Sequence, residues 1–170
     1  MQSYSIAKDQ YIIHKDSGIA LGKVYDFVWD EKNGKLIAIL LRKGLFNRKE
    51  KILLPRDIVE WKDFIFVKNI EAVCLAKDFV RHENIFNEYY TLIDTPVYDE
   101  NDVYVGKVMD YYFNPKLTSL ASLSVKGSKN VNHANLLVSL KDVISISEEK
   151  IIIKDCRKMI PAFQPIKALT

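Results

Sequence analysis

The stretch Gly22-Lys23-Val24-Tyr25-Asp26 decides the fold, because a second version of it, Gly106-Lys107-Val108-Met109-Asp110, follows 84 residues later. Further matches keep the same order and nearly the same spacing, and an apolar strand follows each copy. Such a spacing predicts that the chain contains one structural module twice. The other matched pairs are Lys43-Gly44 with Lys126-Gly127, and Asp57-Ile58-Val59 with Asp142-Val143-Ile144.

The composition predicts that both modules consist mainly of strands. The chain has 170 residues, 48% of them hydrophobic, with many of the Val, Ile, Phe and Tyr side chains that favour a pleated, half-buried surface. We therefore expect a mainly β protein made of two tandem small antiparallel β-barrels with a short, helical linker. The expected boundaries are a first unit at 1–70, a linker at 71–90, a second unit at 91–156 and an extended C-terminal tail at 157–170.

Turn signals and apolar runs place strands within each copy. Asn33-Gly34 predicts a type I′ hairpin turn, since both residues tolerate positive φ. The apolar run at 36–41 that follows should be buried on both faces. Its counterpart at 120–125 contains Ser122 and Ser124, which predicts that one face of the second sheet lies nearer to water.

Residues 70–90 separate the copies and allow two interpretations. Apolar side chains and one histidine recur at helical spacing there, which predicts a helix with one apolar stripe. Alternatively, the stretch 70–75 extends the preceding strand. The helical positions are Leu75, Phe79, His82, Phe86 and Tyr89.

The order of these motifs resembles the PRC-barrel family. That family includes the H subunit of the photosynthetic reaction centre and the C-terminal barrel of ribosome maturation factors that bind a small-subunit protein. The resemblance implies small, strongly bent β-barrels that act as adaptor or assembly modules, and it carries over no catalytic residue. The positions of this chain that match the pattern are Gly22, Asp26, Asp57, Gly106, Asp110 and Asp142.

Charge and cysteine content restrict the compartment more than the partner. The net charge is only +3, and the whole excess lies in residues 1–86, with 15 basic and 12 acidic side chains. The N-terminal residues do not resemble a signal peptide and no apolar run approaches the length of a membrane span. Cys74 and Cys156 occupy non-equivalent positions of the repeat, so we expect buried thiols in a reducing, cytoplasmic environment.

Catalysis and metal binding find little support in the sequence. His14, His82 and His133 lie far apart, without the close His or Cys spacing of a metal site, so no metal and no cofactor are expected. Asp26 and Asp110 are equivalent carboxylates on apolar strands and would form an acid/base pair if they shared a cleft. We favour a structural role in which each accepts backbone N–H groups at the bend, because a bend recurs in every copy.

One basic segment is the best candidate for a binding surface. Residues 42–51 contain five basic side chains against one acidic, whereas the equivalent loop in the second copy is almost uncharged. The segment would suit an acidic protein patch, RNA phosphates or an anionic membrane surface; alternatively it is a solvated hairpin whose apolar residues fold back. Its candidate binding residues are Arg42, Lys43, Leu45, Phe46, Arg48, Lys49 and Lys51.

These observations favour a non-catalytic binding or assembly adaptor over an enzyme. We expect a protein partner, with a homo-oligomer as a further arrangement. The alternative is a ribosome- or RNA-associated maturation factor that uses the basic segment. RNA stacking receives less support, because the aromatic residues lie at strand positions that build cores. Those aromatic residues include Tyr25, Phe27, Trp29, Tyr111 and Phe113.

Overall fold

The computed structural model describes residues 1–42, 51–75, 89–132 and 135–155. It divides the chain into two compact units. Unit 1 comprises Met1–Thr91 together with Phe113–Leu120, and unit 2 comprises Leu92–Tyr112 and Ala121–Thr170. Strands dominate both units, so the mainly β class is confirmed.

The first copy of the repeat has one short helix and eight strands within residues 1–42 and 51–75. Its 3-10 turns are Pro55–Asp57 and Ile70–Ala72. The helix is α1 (Tyr4–Ala7), and the strands are β1 (Gln2–Ser3), β2 (Tyr11–His14), β3 (Ala20–Trp29), β4 (Leu36–Arg42), β5 (Lys51–Leu53), β6 (Ile58–Trp61), β7 (Ile65–Val67) and β8 (Val73–Leu75).

The second copy has six strands in the described residues. Its 3-10 turns are Lys129–Val131 and Leu140–Asp142. The strands are β9 (Pro96–Asp99), β10 (Tyr104–Asn114), β11 (Ser119–Gly127), β12 (Leu136–Ser139), β13 (Val143–Ile146) and β14 (Ile151–Ile153).

The two copies have the same sheet topology. The first sheet runs β6-β7-β2-β3-β4-β5-β8, and the second runs β13-β14-β9-β10-β11-β12. Each strand of the second order occupies the place of its counterpart in the first, and β8 adds one strand at the end of the first sheet. The predicted duplication is therefore confirmed at the level of strand order.

The sheets are mixed rather than purely antiparallel. β2 pairs in parallel with β7, and β9 pairs in parallel with β14, whereas the hairpin pairings are antiparallel. Strands β2 and β7 of the first copy, like β9 and β14 of the second, therefore run in the same direction and lie side by side. The expectation of purely antiparallel barrels is therefore wrong at one pairing in each copy. Turn motifs in a sequence indicate hairpins between consecutive strands, but they do not indicate which distant strands pair.

Bulges also recur at equivalent places. The register of β6 against β7 shifts between Ile58 and Glu60, and the register of β13 against β14 shifts between Val143 and Ser145. The residue between each pair, Val59 or Ile144, is apolar but about half exposed. A bulge on a terminal strand bends it and discourages further pairing.

A bulge in β3 changes the faces that strict alternation predicts for its side chains. Alternation would place Tyr25 on the face of Phe27. The register of β3 against β4 shifts between Val24 and Asp26, and Tyr25 instead packs against the cluster that contains Val28. One extra residue in a strand shifts the alternation by one, so the side chains before the bulge lie on the opposite face from the one that strict alternation predicts.

Aromatic side chains fill the core of unit 1. Phe27 stacks on Trp61, with ring centroids 5.8 Å apart, and Phe113 lies 5.3 Å from Phe27. Trp29 and Phe113 occupy equivalent positions of the repeat, and their ring centroids are 5.6 Å apart. Phe27 and Phe113 are buried, which fits the expectation that these aromatic residues build a core.

Two equivalent hairpin turns bond to each other within unit 1. The backbone N–H of Leu36 donates to the carbonyl of Thr118 at 2.8 Å, and the N–H of Leu120 donates to the carbonyl of Gly34 at 2.8 Å. Lys35 and Ser119 form an antiparallel bridge between these bonds. Leu36 is equivalent to Leu120, and Gly34 is equivalent to Thr118. In each bond the leucine of one copy donates its N–H to the turn residue of the other copy.

The Asn33-Gly34 turn differs in type from the expected two-residue hairpin. β3 ends at Trp29 and β4 begins at Leu36, and only Gly34 has positive φ, at 64°. The Asp30 carboxylate accepts the N–H of Lys32 at 2.8 Å and favours the longer loop. The expected type I′ turn is wrong because a local side-chain bond supplies a competing backbone conformation.

Two further expectations concern residues 70–90 and the serines of β11. Most of the predicted helix lies at 76–88, outside the described residues; Val73–Leu75 is a strand that pairs with β5.

Ser122 and Ser124 are 6% and 9% exposed, so the prediction that their face lies nearer to water is wrong. A serine side chain is small, and its presence in an apolar run is a weak signal of exposure.

Candidate functional site

The equivalent carboxylates Asp26 and Asp110 make the same backbone bond. Asp26 Oδ1 accepts the N–H of Phe27 at 2.8 Å, and Asp110 Oδ1 accepts the N–H of Tyr111 at 2.8 Å. In each copy the carboxylate bonds the residue directly after it on the bent strand. This geometry matches the structural interpretation, in which a local acceptor satisfies an N–H group at a bend.

Asp26 has additional partners that form a buried polar site. The hydroxyl of Tyr89 donates a hydrogen bond to Asp26 Oδ2, and the side chain of Thr91 bonds the same carboxylate. Asp26 is only 5% exposed, whereas Asp110 is half-buried. The two equivalent positions therefore differ in how far water reaches them.

Burial shifts the ionisation of this site. Burial raises the pKa of the Asp26 carboxyl, although the bonds from Tyr89, Phe27 and Thr91 act in the opposite direction. Burial, together with the nearby Asp26 charge, also raises the pKa of the Tyr4 and Tyr89 hydroxyls. Both hydroxyls thus remain protonated and able to donate.

Two residues of the basic segment are described, and both lie within strands. The Arg42 guanidinium forms an ion pair with Asp9, with Nη1 3.1 Å from Oδ1, and its Cζ lies 5.7 Å from the centre of the Tyr25 ring. Lys51 pairs across β5 with Leu41 on one side and Leu75 on the other. The other candidates, Lys43, Leu45, Phe46, Arg48 and Lys49, lie outside the described residues.

The repeated glycines approach neighbouring strands closely. A Cβ at Gly106 would lie 2.0 Å from the backbone oxygen of Lys126, and Gly106 has φ of +156°. A Cβ at Gly22 would meet Leu41 Cδ2 at 2.9 Å. Glycine is therefore needed more strictly in the second copy, where the neighbour is backbone.

The repeated acidic residues Asp57 and Asp142 each end a 3-10 turn before an edge strand. Asp142 Oδ1 lies 3.3 Å from Nζ of Lys154. The backbone N–H of Lys154 also donates to the backbone carbonyl of Asp142 at 2.9 Å. Asp57 lies 3.9 Å from Nε of its neighbour Arg56. Both carboxylates are partly exposed, and neither contact resembles a catalytic arrangement.

No group of three or more His, Cys, Asp or Glu side chains within residues 1–42, 51–75, 89–132 and 135–155 could hold a metal ion. Among the same residues, no helix has the length and apolar character needed to cross a membrane.

Comparison with protein families matches the PRC-barrel domain twice, at residues 4–73 and 85–159. The chain belongs to the PRC-barrel domain family. No curated protein matches the sequence significantly. The two PRC-barrel matches contain strands β2 to β7 and β9 to β14, together with all six repeat positions singled out in the sequence.

Asp26 is a candidate from the sequence alone, but the residues that distinguish it from Asp110 are not. Tyr89 was assigned to an apolar helical stripe, and Tyr4 and Thr91 carried no motif. The one available signal was chemical, because an ionised side chain on an apolar strand needs hydrogen-bond donors from elsewhere in the chain. Nothing in the spacing of the repeat indicates which residues supply them.

Proposed function

We propose that this tandem PRC-barrel protein is a non-catalytic adaptor that docks to a protein partner. The observation that supports this proposal most directly is the matched role of Asp26 and Asp110. Each binds the backbone N–H of its neighbour, at 2.8 Å in both copies. A carboxylate that is engaged in this way serves the fold of its own copy.

Two features of the chain favour docking over chemistry. Both copies keep the same strand order, and the matched family pattern carries no catalytic residue. The described edge strands β6 and β13 each expose one apolar residue at equivalent bulges, Val59 and Ile144. A scaffold that is repeated with the same strand order in both copies is suited to binding another macromolecule.

The test is affinity purification of the tagged chain from its native cell, with and without nuclease. We expect one protein, or a small set, to co-purify at near-stoichiometric amounts and to survive nuclease treatment. Capture that disappears with nuclease, or no capture above that of an untagged control, contradicts a protein-docking role.

RNA binding is a second candidate, favoured by the local charge of residues 42–51. Arg48→Glu combined with Lys49→Glu should then abolish association with an RNA-containing particle, and binding should fall steeply with salt. Lys129→Glu, in the equivalent region of the second copy, is the matched control and should leave binding unchanged. Association that is insensitive to both salt and the double substitution argues against this candidate.

A further inference from the structure

Unit 1 has a second apolar cluster that is separate from its aromatic core. Val28, Ala38, Leu40, Ile52 and Leu54 are all buried and pack together from β3, β4, β5 and the residue after β5. Partly buried side chains cover this cluster, namely Tyr25, Ile37, Cys74 and Tyr89.

Tyr89 combines two complementary contacts at this cluster. Its ring packs against the apolar residues, and its hydroxyl donates to the carboxylate of Asp26. No register shift separates Asp26 from Val28 on β3, so the carboxylate lies on the same face as the cluster. We call the Asp26 carboxylate and the five buried cluster residues the Tyr89 groove.

The two residues after Tyr89 also form side-chain bonds to other parts of unit 1. The hydroxyl of Tyr90 donates to Glu31 Oε1 at 2.8 Å, and the side chain of Thr91 bonds Asp26. The side chains of Tyr89, Tyr90 and Thr91 thus all bond to side chains of β3 or of the turn that follows it. Because Tyr90 and Glu31 form an exposed contact, the Asp26 bonds are the buried part of this attachment.

Much of the apolar lining is specific to the first copy. Ile39 pairs with Leu53, and Leu123 pairs with Val138; Leu53 and Val138 each lie four residues before the repeated aspartate. This register makes Ala38 and Leu40 the equivalents of Ser122 and Ser124, and it makes Leu54 the equivalent of Ser139. At these three positions the second copy has hydroxyls where the first is apolar, whereas the equivalent of Ile52 is the apolar Leu137 and both copies keep the aspartate.

The electrostatics of the groove favour a neutral hydroxyl donor. Asp26 is buried, and the charged or titratable groups around it are Tyr4, Tyr89 and Lys8, with Arg42 and Asp9 farther out as an ion pair. A carboxylate in this setting needs an O–H or N–H donor, and replacing that donor with an apolar group would leave a buried charge poorly bonded.

We propose that Tyr89 is the built-in occupant of a docking groove on unit 1, and that a partner segment presenting a tyrosine binds in its place. This proposal depends on the adaptor role described above and specifies the chemistry of its partner. The chain itself shows which ligand fits, namely an aromatic ring that covers the cluster and a hydroxyl that reaches Asp26. While Tyr89 is bound, the groove is closed to a partner.

The direct test removes the occupant and supplies its side chain as a small molecule. Tyr89→Ala in the full chain should be stabilised by p-cresol, seen as a rise in Tm that saturates with concentration. Toluene, which lacks the hydroxyl, should give a clearly smaller shift. Tyr90→Ala is the matched control, and p-cresol should not change its Tm.

The contribution of Asp26 is tested in the same assay. In Tyr89→Ala combined with Asp26→Leu, the advantage of p-cresol over toluene should disappear. Equal stabilisation of Tyr89→Ala by both compounds would overturn the assignment of a tyrosine-bearing partner. The absence of any stabilisation by either compound would overturn the groove itself.

A second measurement remains informative if Tyr89→Ala does not fold. Cys74 covers the same cluster, so the rate at which a maleimide labels its thiol in a Cys156→Ser background reports opening of the groove. Tyr89→Phe loses one bond to an ionised group and should raise this rate about tenfold. Tyr90→Phe should leave the rate near that of the parent, and equal rates for both variants would contradict the proposal.

These outcomes are distinct from those of the adaptor test. The parent chain, Tyr89→Ala and Tyr90→Ala are compared in the capture experiment. Equal capture of a partner by all three would support the adaptor role and would contradict this groove as the docking site. Enhanced capture with Tyr89→Ala alone supports the groove.

Discussion

Gly106 shows most directly how one residue constrains this fold. It has φ of +156°, and its Cα faces the backbone of Lys126 so closely that a Cβ would lie 2.0 Å from the Lys126 carbonyl oxygen. Side chains larger than hydrogen cannot enter this space unless one of the strands moves. Gly22 lies at the equivalent position, but there the neighbour is the end of the Leu41 side chain, which can rotate.

The difference between the two glycines predicts unequal costs for the same substitution. Gly106→Ala should lower the free energy of unfolding by about 3 kcal/mol, because backbone must shift, and Gly22→Ala by about 1 kcal/mol. Urea denaturation of both variants provides the comparison. Equal losses, or a larger loss at Gly22, would contradict the geometry.

The buried Asp26 carboxyl predicts a pH dependence of the stability of the chain. Burial raises the pKa of its carboxyl above the ordinary value of 3.8, so the folded chain binds a proton that the unfolded chain releases. The free energy of unfolding therefore falls as the pH rises from the ordinary pKa through the raised one. Asp26→Asn should remove this fall while its amide oxygen still accepts the N–H of Phe27.

The measurement is urea unfolding of the parent and Asp26→Asn across the acidic to neutral range. Asp110→Asn controls for the loss of a carboxylate that bonds the backbone in the same way. If the parent and Asp26→Asn lose stability equally as the pH rises, the carboxyl of Asp26 is not the source of the pH dependence.

Among the secondary-structure elements, the two equivalent hairpin turns place different residues in the same left-handed backbone conformation. Gly34 has φ of 64°, and Thr118, 84 residues later, has φ of 46°. The turns are held by Asp30 and Asn114, whose side-chain oxygens accept the N–H of the residue two positions on, at 2.8 and 3.0 Å. A β-branched residue is strained in this left-handed region, whereas glycine is not.

The two turns therefore predict opposite effects of substitution. Thr118→Gly should raise the free energy of unfolding by about 0.5 kcal/mol, because relief of strain exceeds the greater freedom of the unfolded chain. Gly34→Ala should lower it by about 1 kcal/mol. Thermal unfolding of both variants checks the pair, and destabilisation by Thr118→Gly would show that the left-handed turn is not strained.

The element scale also shows where prediction from sequence succeeded and where it failed. The paired motifs around Gly22 and Gly106 identified the duplicated module, since a repeat is visible without knowledge of contacts. The bulge at Tyr25 and the parallel pairing of β2 with β7 were not predictable in this way. Both depend on which strands meet in three dimensions, and strand periodicity does not encode that choice.

At the scale of the whole molecule, the candidate site was only partly predictable. Asp26 was visible as a carboxylate on an apolar strand, and Asp110 as its equivalent. The side-chain partners of Asp26 are Tyr89 and Thr91, which are distant in sequence from β3 and carry no shared motif. Tertiary contact therefore turns one of two equivalent aspartates into a buried polar site.

We propose that the duplicated β module serves this chain by docking to another protein. Native mass spectrometry of the complex, purified with the tagged chain from its own cell after nuclease treatment, tests this proposal. We expect a species whose mass equals this chain plus at least one different protein, in fixed stoichiometry. Recovery of the chain alone, of copies of itself alone, or of a nucleic-acid complex alone would contradict it.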